Sequence, residues 1–352
     1  MSTNMPGGLD SFTDPTSGNA TNAPSHAAQH TLENDSILAM EKLLVGPVFY
    51  NVIGYGADPT GVADSTTSIK SAIGAASVNG GVVLFPAGSY LISSSLALQN
   101  NVTLKGVNEF ANWGVADGSV IQCASSMSSP LITVAASVQG VSVEGLAFTT
   151  TSGSASVATI SINGTTGGGN VSNVSVKNVY SQNLGGITTT YTTRAVFEDV
   201  VLQNWHGIYG FSFTNPTIAF FDRCNAAPAS TGSSFGANYS ANYYFSSGGT
   251  VNLIACEGNG SPYYQLYSSG TVDSEAWNFE GNGAQADQIH LSAVTDWSLS
   301  QCYIAQPCVN GINLVGGAGL AGVRISDSHF DNFSGSALVL DGTGSQVQAV
   351  TF

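Results

Sequence analysis

Val141-Ser-Val143-Glu-Gly-Leu146-Ala-Phe148 and Val174-Ser-Val176-Lys-Asn-Val179 follow one rule. Apolar residues alternate with small or polar ones, a Gly or Asn interrupts, and the alternation resumes; a period of two marks a strand with one buried face. Eight copies succeed one another, with first anchors at Val141, Val174, Ala195, Ile218, Val251, Val272, Trp297 and Val323. Their spacings of 33, 21, 23, 33, 21, 25 and 26 residues describe a solenoid with two longer turns. A second strand series runs in phase at Ile160-x-Ile162, Ile208, Ile289-x-Leu291, Ile312-x-Leu314 and Leu338-x-Leu340. The LxxLxL frame of leucine-rich repeats is missing and each copy is too short for a propeller blade. The pattern predicts an all-β chain wound as a parallel β-helix, its coils about 4.8 Å apart with Val, Ile, Leu and Phe turned inward.

Composition agrees. Only 8% of the 352 residues are charged and 42 are glycine, with no collagen-like period; Ser, Thr, Asn, Gly and Val suit strands and turns rather than helices. The formal net charge of −15 excludes an electrostatic footprint for nucleic acid or anionic lipid. No apolar run approaches the roughly 18 residues of a membrane span, and the first basic residue is Lys42, so neither a membrane anchor nor a signal peptide is expected. Five cysteines without a CxxC pair read as buried free thiols rather than disulfides or a zinc site.

The first 30 residues are polar and read as an extended arm. Thr31 caps a short helix whose Ile37, Met40 and Leu44 share one face before Gly46-Pro47; that single apolar stripe calls for a partner. Residues 1–46 are therefore expected to be an arm with an attachment helix, and 47–352 the β-helix with its cap. The cap is signalled by Asp64-Ser65 followed by Ile69, Ala72, Ile73 and Ala76, stopped at Asn79-Gly80-Gly81, a helix placed to cover the open first coil.

Four blocks then stand in order: Asn51-Val-Ile-Gly-Tyr-Gly-Ala-Asp-Pro-Thr-Gly61, Asp64-Ser65-Thr66, Gly80-Gly81-Val-Val-Leu-Phe-Pro86-Ala-Gly-Ser-Tyr90 and Val102-Thr-Leu-Lys-Gly106. They resemble the opening of pectate-lyase-type right-handed β-helices, and the solenoid extends the resemblance over nearly all of the chain after Asn51. Ser25-His-Ala-Ala-Gln-His30, with Asn34-Asp35 and Glu41, is similar to the start of phage tail fibres and tailspikes. These resemblances imply a protein of the virion tail, made in the host cytoplasm. It would be a homotrimer assembled with other tail proteins, meeting host-surface polysaccharide and in some members degrading it.

Registering the coils places Glu144, Lys177, Glu198, Phe221, Ile254, Glu275, Ser300 and Ser326 in one outward column. Its charged part reads as a solvated ion-pair ladder of little energetic weight. Phe221 with Ile254 reads as an apolar patch covered by another subunit. Past the bend, Tyr180, Val201, Cys224, Glu257, Asn278, Tyr303 and His329 form a second column, beside Gln182, Gln203, Ala226, Asn259, Glu280, Ala305 and Asp331. Glu257 and Glu280 fall on adjacent coils and could serve as the two carboxylates of a glycosidase; two exposed acids on an acidic protein could equally mean nothing. Tyr239, Tyr243, Tyr244, Tyr263, Tyr264 and Tyr267 crowd into 29 residues. Tyrosines stack on sugars and also favour protein interfaces. The expected ligand surface comprises Tyr239, Tyr243, Tyr263, Tyr264 and Tyr267, with Tyr180, Tyr303 and His329 as the second strip. No Asp cluster registers for calcium and few basic residues exist for a lyase base, so no metal or cofactor is expected and lyase chemistry ranks below hydrolysis. Three functions remain: a tail protein that holds a glycan, a depolymerase on the same scaffold, and, less well supported, a free polysaccharide lyase.

Overall fold

The computed structural model describes residues 48–108, 118–151, 153, 155–229, 240–246, 249–260, 263–269, 271–275, 278–280, 287–292, 295–305, 308–315 and 321–341. The arm, the helix at 31–44 and Tyr239 lie outside the described residues. The rest is a right-handed parallel β-helix, the hand taken by nearly all parallel crossover connections.

Each full coil lays two strands into a 20-stranded larger sheet and one into a 10-stranded smaller sheet. Successive coils pair residue against residue: Val141 with Val174, Val174 with Ala195, Ala195 with Ala219, Ala219 with Val251. Three further rungs precede the eight read from the repeats, at Phe49–Asn51, Gly81–Leu84 and Val102–Lys105. Inward residues of both sheets form one core, including Val143, Val176, Phe197 and Leu253 on one side and Ile162, Ile187, Phe213, Ile289 and Leu314 on the other. Each such side chain contributes roughly 1.5–3 kcal/mol by leaving water.

In the larger sheet seven of the coils bend, among the described residues, at a single residue with left-handed backbone. Gly145, Asn178, Asp199, Arg223, Ala255, Gln301 and Asp327 occupy this position, with φ between 50° and 61°. Such a backbone costs an ordinary L-residue roughly 1–2 kcal/mol and costs Gly, Asn or Asp less. Four of the seven are accordingly Gly, Asn or Asp, while Arg223, Ala255 and Gln301 bear the cost. The bend divides the sheet into a leading limb, which holds the anchors, and a trailing limb.

The register corrects one anchor. Ala195 pairs with Ala219, not Ile218, and Ile218 is 38% exposed. Every outward assignment on that coil therefore moves by one residue. Phe221 turns inward, 1% exposed and stacked on Phe197 with centroids 5.0 Å apart, while Phe220 and Asp222 face outward. Cys224 is likewise interior, and Asn225 takes its place in the second column opposite Val201 and Glu257. The alignment that put Ala226 beside Gln203 shifts to Ala227. Ile208 is exposed ahead of its strand, and Phe211-x-Phe213 supplies the inward pair instead.

At the base, helix α1 (Thr66–Ser77) buries Ile69, Ala72, Ile73 and Ala76 over the first coils. Ser65 stands at the N-cap position, but Asp64 does the capping: its Oδ1 accepts from the Thr66 N–H at 2.9 Å. The corner between the trailing limb and the smaller sheet is filled by buried amides. Trp205 Nε1 donates to Asn242 Oδ1 at 2.8 Å, and Asn242 Nδ2 donates to the Asn259 carbonyl at 2.9 Å and to Gln265 Oε1. Gly186 and Gly210 let successive backbones meet near this corner. A Cβ on Gly186 would lie 1.8 Å from the Gly210 carbonyl oxygen.

Candidate functional site

The outer faces of the coil differ in charge. On the leading limb Lys105, Glu144, Lys177, Glu198 and Asp222 stack in one column. Lys105 pairs with Glu144 at 3.6 Å and Lys177 with Glu198 at 3.0 Å, and Arg223 gathers Glu198, Asp199 and Asp222. Lysine 177 and Arg223 hold the Glu198 carboxyl below its ordinary range. All of these groups are partly solvated, so the ladder fits the expected structural reading.

The smaller sheet presents the opposite character. Its middle outward column runs Ser161, Thr188, Ser212, Tyr244, Tyr267, His290, Asn313, Val339. A parallel column runs Asn163, Thr190, Thr214, Ser246. Among the described residues of these two columns no Lys, Arg, Asp or Glu occurs before the last coil. The hydroxyls bond one another, Thr188 to Ser161 at 3.2 Å and Ser246 to Thr214 at 3.1 Å. Above them Tyr209, Tyr244, Tyr267 and His290 stack face to face with centroids 4.1, 5.3 and 5.1 Å apart. Rings this close leave no room for a sugar between them, so a ligand lying along the column meets ring edges and polar tips. Tyr264 packs beside it, 5.7 Å from Tyr267 and 4.9 Å from His290, with Tyr263 beyond. Burial, followed by Tyr244 and Tyr267, pushes the Tyr209 hydroxyl up to about 12.

One carboxylate supports the top of this face. Asp287, 5% exposed, receives His290 Nδ1 at 3.2 Å, Asn310 Nδ2 at 2.8 Å and Asn313 Nδ2 at 2.9 Å. Burial alone would raise its pKa, but these hydrogen bonds outweigh burial and hold the carboxyl below its usual range.

The tyrosines expected on the ligand surface do not all lie at the surface. Tyr243 is interior, 0% exposed. It stacks on Phe211 at 5.0 Å and its hydroxyl donates to the carbonyls of Cys224 at 3.0 Å and Glu257 at 3.1 Å. Its neighbour Tyr244 faces outward instead, because adjacent strand residues point to opposite faces. Tyr180 is also covered, 2% exposed within a small cluster with Val120, Ala147 and Val201, its hydroxyl bonded to Gln203. Tyr263, Tyr264 and Tyr267 are half-buried at the aromatic column. Tyr303 and His329 are exposed on the trailing limb and stack at 5.2 Å.

Glu257 lies on the trailing limb, across the amide corner from the tyrosines. Asn225 Nδ2 reaches one carboxylate oxygen at 2.6 Å and Asn259 Nδ2 the other at 2.9 Å. Glu280 pairs with Asn259, one coil on and two residues along from Glu257; strand geometry puts their Cα atoms about 8 Å apart. Glu257 and the ring column of Tyr244, Tyr264 and Tyr267 thus belong to two surfaces rather than one. His290 and its tie to Asp287 did not emerge from the sequence, although Ile289-x-Leu291 marks His290 as the outward residue between two inward ones.

A family model described as rhamnogalacturonase A/epimerase, pectate lyase-like, matches residues 49–260, more than half of the chain. No curated protein matches the sequence. Among solved structures, the Acinetobacter phage vB_ApiP_P1 tailspike protein is 16% identical, with a TM-score of 0.54 over 86% of this chain and 58% of that one. The Azotobacter vinelandii mannuronan C-5 epimerase AlgE4 A-module is 16% identical, TM-score 0.49, covering 85% of this chain and 100% of that one. The Yersinia enterocolitica family 28 exopolygalacturonase is 11% identical, TM-score 0.49, covering 87% and 77%. At such identities the likeness is one of fold, and the chain spans little more than half of the tailspike. Together with the coil geometry, the family match places this chain in the rhamnogalacturonase A/epimerase, pectate lyase-like family of right-handed parallel β-helices.

Proposed function

We propose that this protein is a tail component of a phage or prophage that holds a host-surface polysaccharide on the outer face of its smaller sheet. The observation that carries the reading is the contrast between faces: ionic ladders on the leading limb, and hydroxyls, tyrosines and a histidine on the smaller sheet. Planar amphipathic rings and uncharged hydroxyls are the groups that meet the apolar and polar sides of a sugar together. A chain of net charge −15 repels polyanions, so the polysaccharide is neutral or amino-substituted. The family membership and the tailspike-like fold support a carbohydrate role, and the segment from Ser25 to Glu41 supports the virion tail. In this reading residues 1–46 attach the protein to the particle, residues 47–352 point outward, and a homotrimer is the working unit.

A depolymerase is the second reading, favoured by the two-amide clamp on Glu257. A carboxylate with both oxygens fixed is oriented for one task, and Glu280 would supply the other group of a hydrolysing pair. Tyr303 and His329 would then line the same strip. Incubating the full chain with capsular and cell-wall polysaccharides, and measuring retained sugar, reducing ends and unsaturated uronates, separates the readings. Retention without new ends supports holding; new reducing ends lost in Glu257→Gln support hydrolysis; neither retention nor ends rejects both.

A further inference from the structure

His290 differs from the rings beneath it. Its Nδ1 is tied to Asp287, a carboxylate itself anchored by two amides of the following coil, Asn310 and Asn313. Its ring lies on Tyr267, 10° from parallel, and against Tyr264 at 44°. With Asp287 accepting from Nδ1, an imidazole that carries one proton holds it on Nδ1 and leaves Nε2 as a lone-pair acceptor.

We propose that His290, positioned by Asp287, is the polar reader of this face: Nε2 accepts a hydrogen bond from a hydroxyl of an uncharged sugar resting against Tyr264 and Tyr267. This rests on the glycan-holding reading above and adds to it a contact and a local cause for its selectivity. A carboxylate or sulfate offers no proton to Nε2 at neutral pH and meets the field of Asp287, with no Lys or Arg described in the two outer columns to offset it. Neutral and amino sugars carry hydroxyl donors and meet no such penalty. The buried Asp287 does not touch the sugar; it acts through the tautomer and orientation of the ring, as second-layer carboxylates do for other histidines.

The test uses the full chain on an array of neutral, amino and uronate oligosaccharides at about pH 7, with ¹⁵N NMR of the histidines and thermal melts of each variant. The wild type is expected to bind neutral or amino members and to show His290 protonated at Nδ1. His290→Ala should weaken that binding about tenfold or more, His290→Gln should recover part of it because Gln keeps an acceptor, and Asp287→Asn should shift the tautomer and weaken binding while the protein still melts cooperatively. Unchanged neutral-sugar binding in His290→Ala overturns the assignment of His290 and leaves the face intact. Uronate binding in preference to neutral sugars overturns the selectivity. Binding of no oligosaccharide by the wild type overturns both this inference and the reading beneath it. A histidine protonated at Nε2 in the wild type overturns the positioning role of Asp287.

Discussion

Replacing Tyr243 by alanine takes from the interior a ring with no exposed surface. That ring lies parallel to Phe211 and edge-on to Phe221, with centroids 5.0 and 6.0 Å away. Losing a buried aromatic to alanine costs about 3–5 kcal/mol in transfer and cavity terms. The hydroxyl also donates to the backbone carbonyls of Cys224 and Glu257, and losing that hydrogen bonding adds about 0.5–1.5 kcal/mol. The expected total is roughly 3.5–6.5 kcal/mol. Tyr243→Phe should cost only the polar part. Because a solenoid coil touches mainly its neighbours, the loss should be concentrated in the coils on either side rather than shared along the column. Denaturant titration gives the magnitude, and hydrogen exchange gives the location, with lost protection expected at 209–214 and 264–268. A loss below about 1 kcal/mol, or exchange unchanged in those strands, would refute the core assignment and return Tyr243 to the surface.

Other outcomes follow from the same structure. Asp287 has a folded-state pKa below the ordinary 3.8, so its contribution is present above that value and lost as pH falls through the lower one. Below about pH 4 the wild type should lose stability more steeply than Asp287→Asn, and parallel acid melts would disprove this. Ala255 occupies the left-handed bend at φ 50°; Ala255→Asn should stabilise by up to about 1 kcal/mol in denaturant titration, and a destabilised variant would contradict the strain assigned there. Gly186→Ala should cost about 3 kcal/mol or more, since its Cβ would collide with the Gly210 carbonyl at 1.8 Å; a melt like that of the wild type would show that the coils can part there. Arg223→Ala should cost about 1 kcal/mol or less despite its three acidic partners, because side chains half in water gain little from pairing; a much larger loss would give the ladder a structural weight denied it here.

How far the sequence carries this structure depends on where the repeats are regular. Val141, Val174 and Ala195 are flanked by clear bends at Gly145, Asn178 and Asp199, and their register follows directly. On the next coil the bend is at Arg223, a residue that carries no turn signal, and four successive residues, Ile218-Ala-Phe-Phe221, are apolar. Either parity looked apolar, so Ile218 displaced Ala219 as anchor and carried Phe221 and Cys224 to the wrong face. The tyrosines failed for a related reason. Tyr243 and Tyr244 are adjacent, only one can face out, and the inward series set by Phe211 and Leu266 decides which. The Asp287–His290 tie escaped because it depends on a corner, where Asp287 turns toward a ring three residues on rather than following strand alternation.

Glycan binding on the uncharged face of the smaller sheet can be separated from binding elsewhere on the coil. Its most direct measurement is equilibrium binding of the full chain to the oligosaccharide array, comparing wild type with Tyr244→Ala/Tyr267→Ala on that face and Lys177→Ala/Arg223→Ala on the charged one. The tyrosine pair should lose neutral-sugar binding by roughly tenfold or more, about 1.4 kcal/mol or greater, while still melting cooperatively, and the charged-face pair should bind as the wild type does. Intact binding in the tyrosine pair, with binding lost in the charged-face pair, would contradict this.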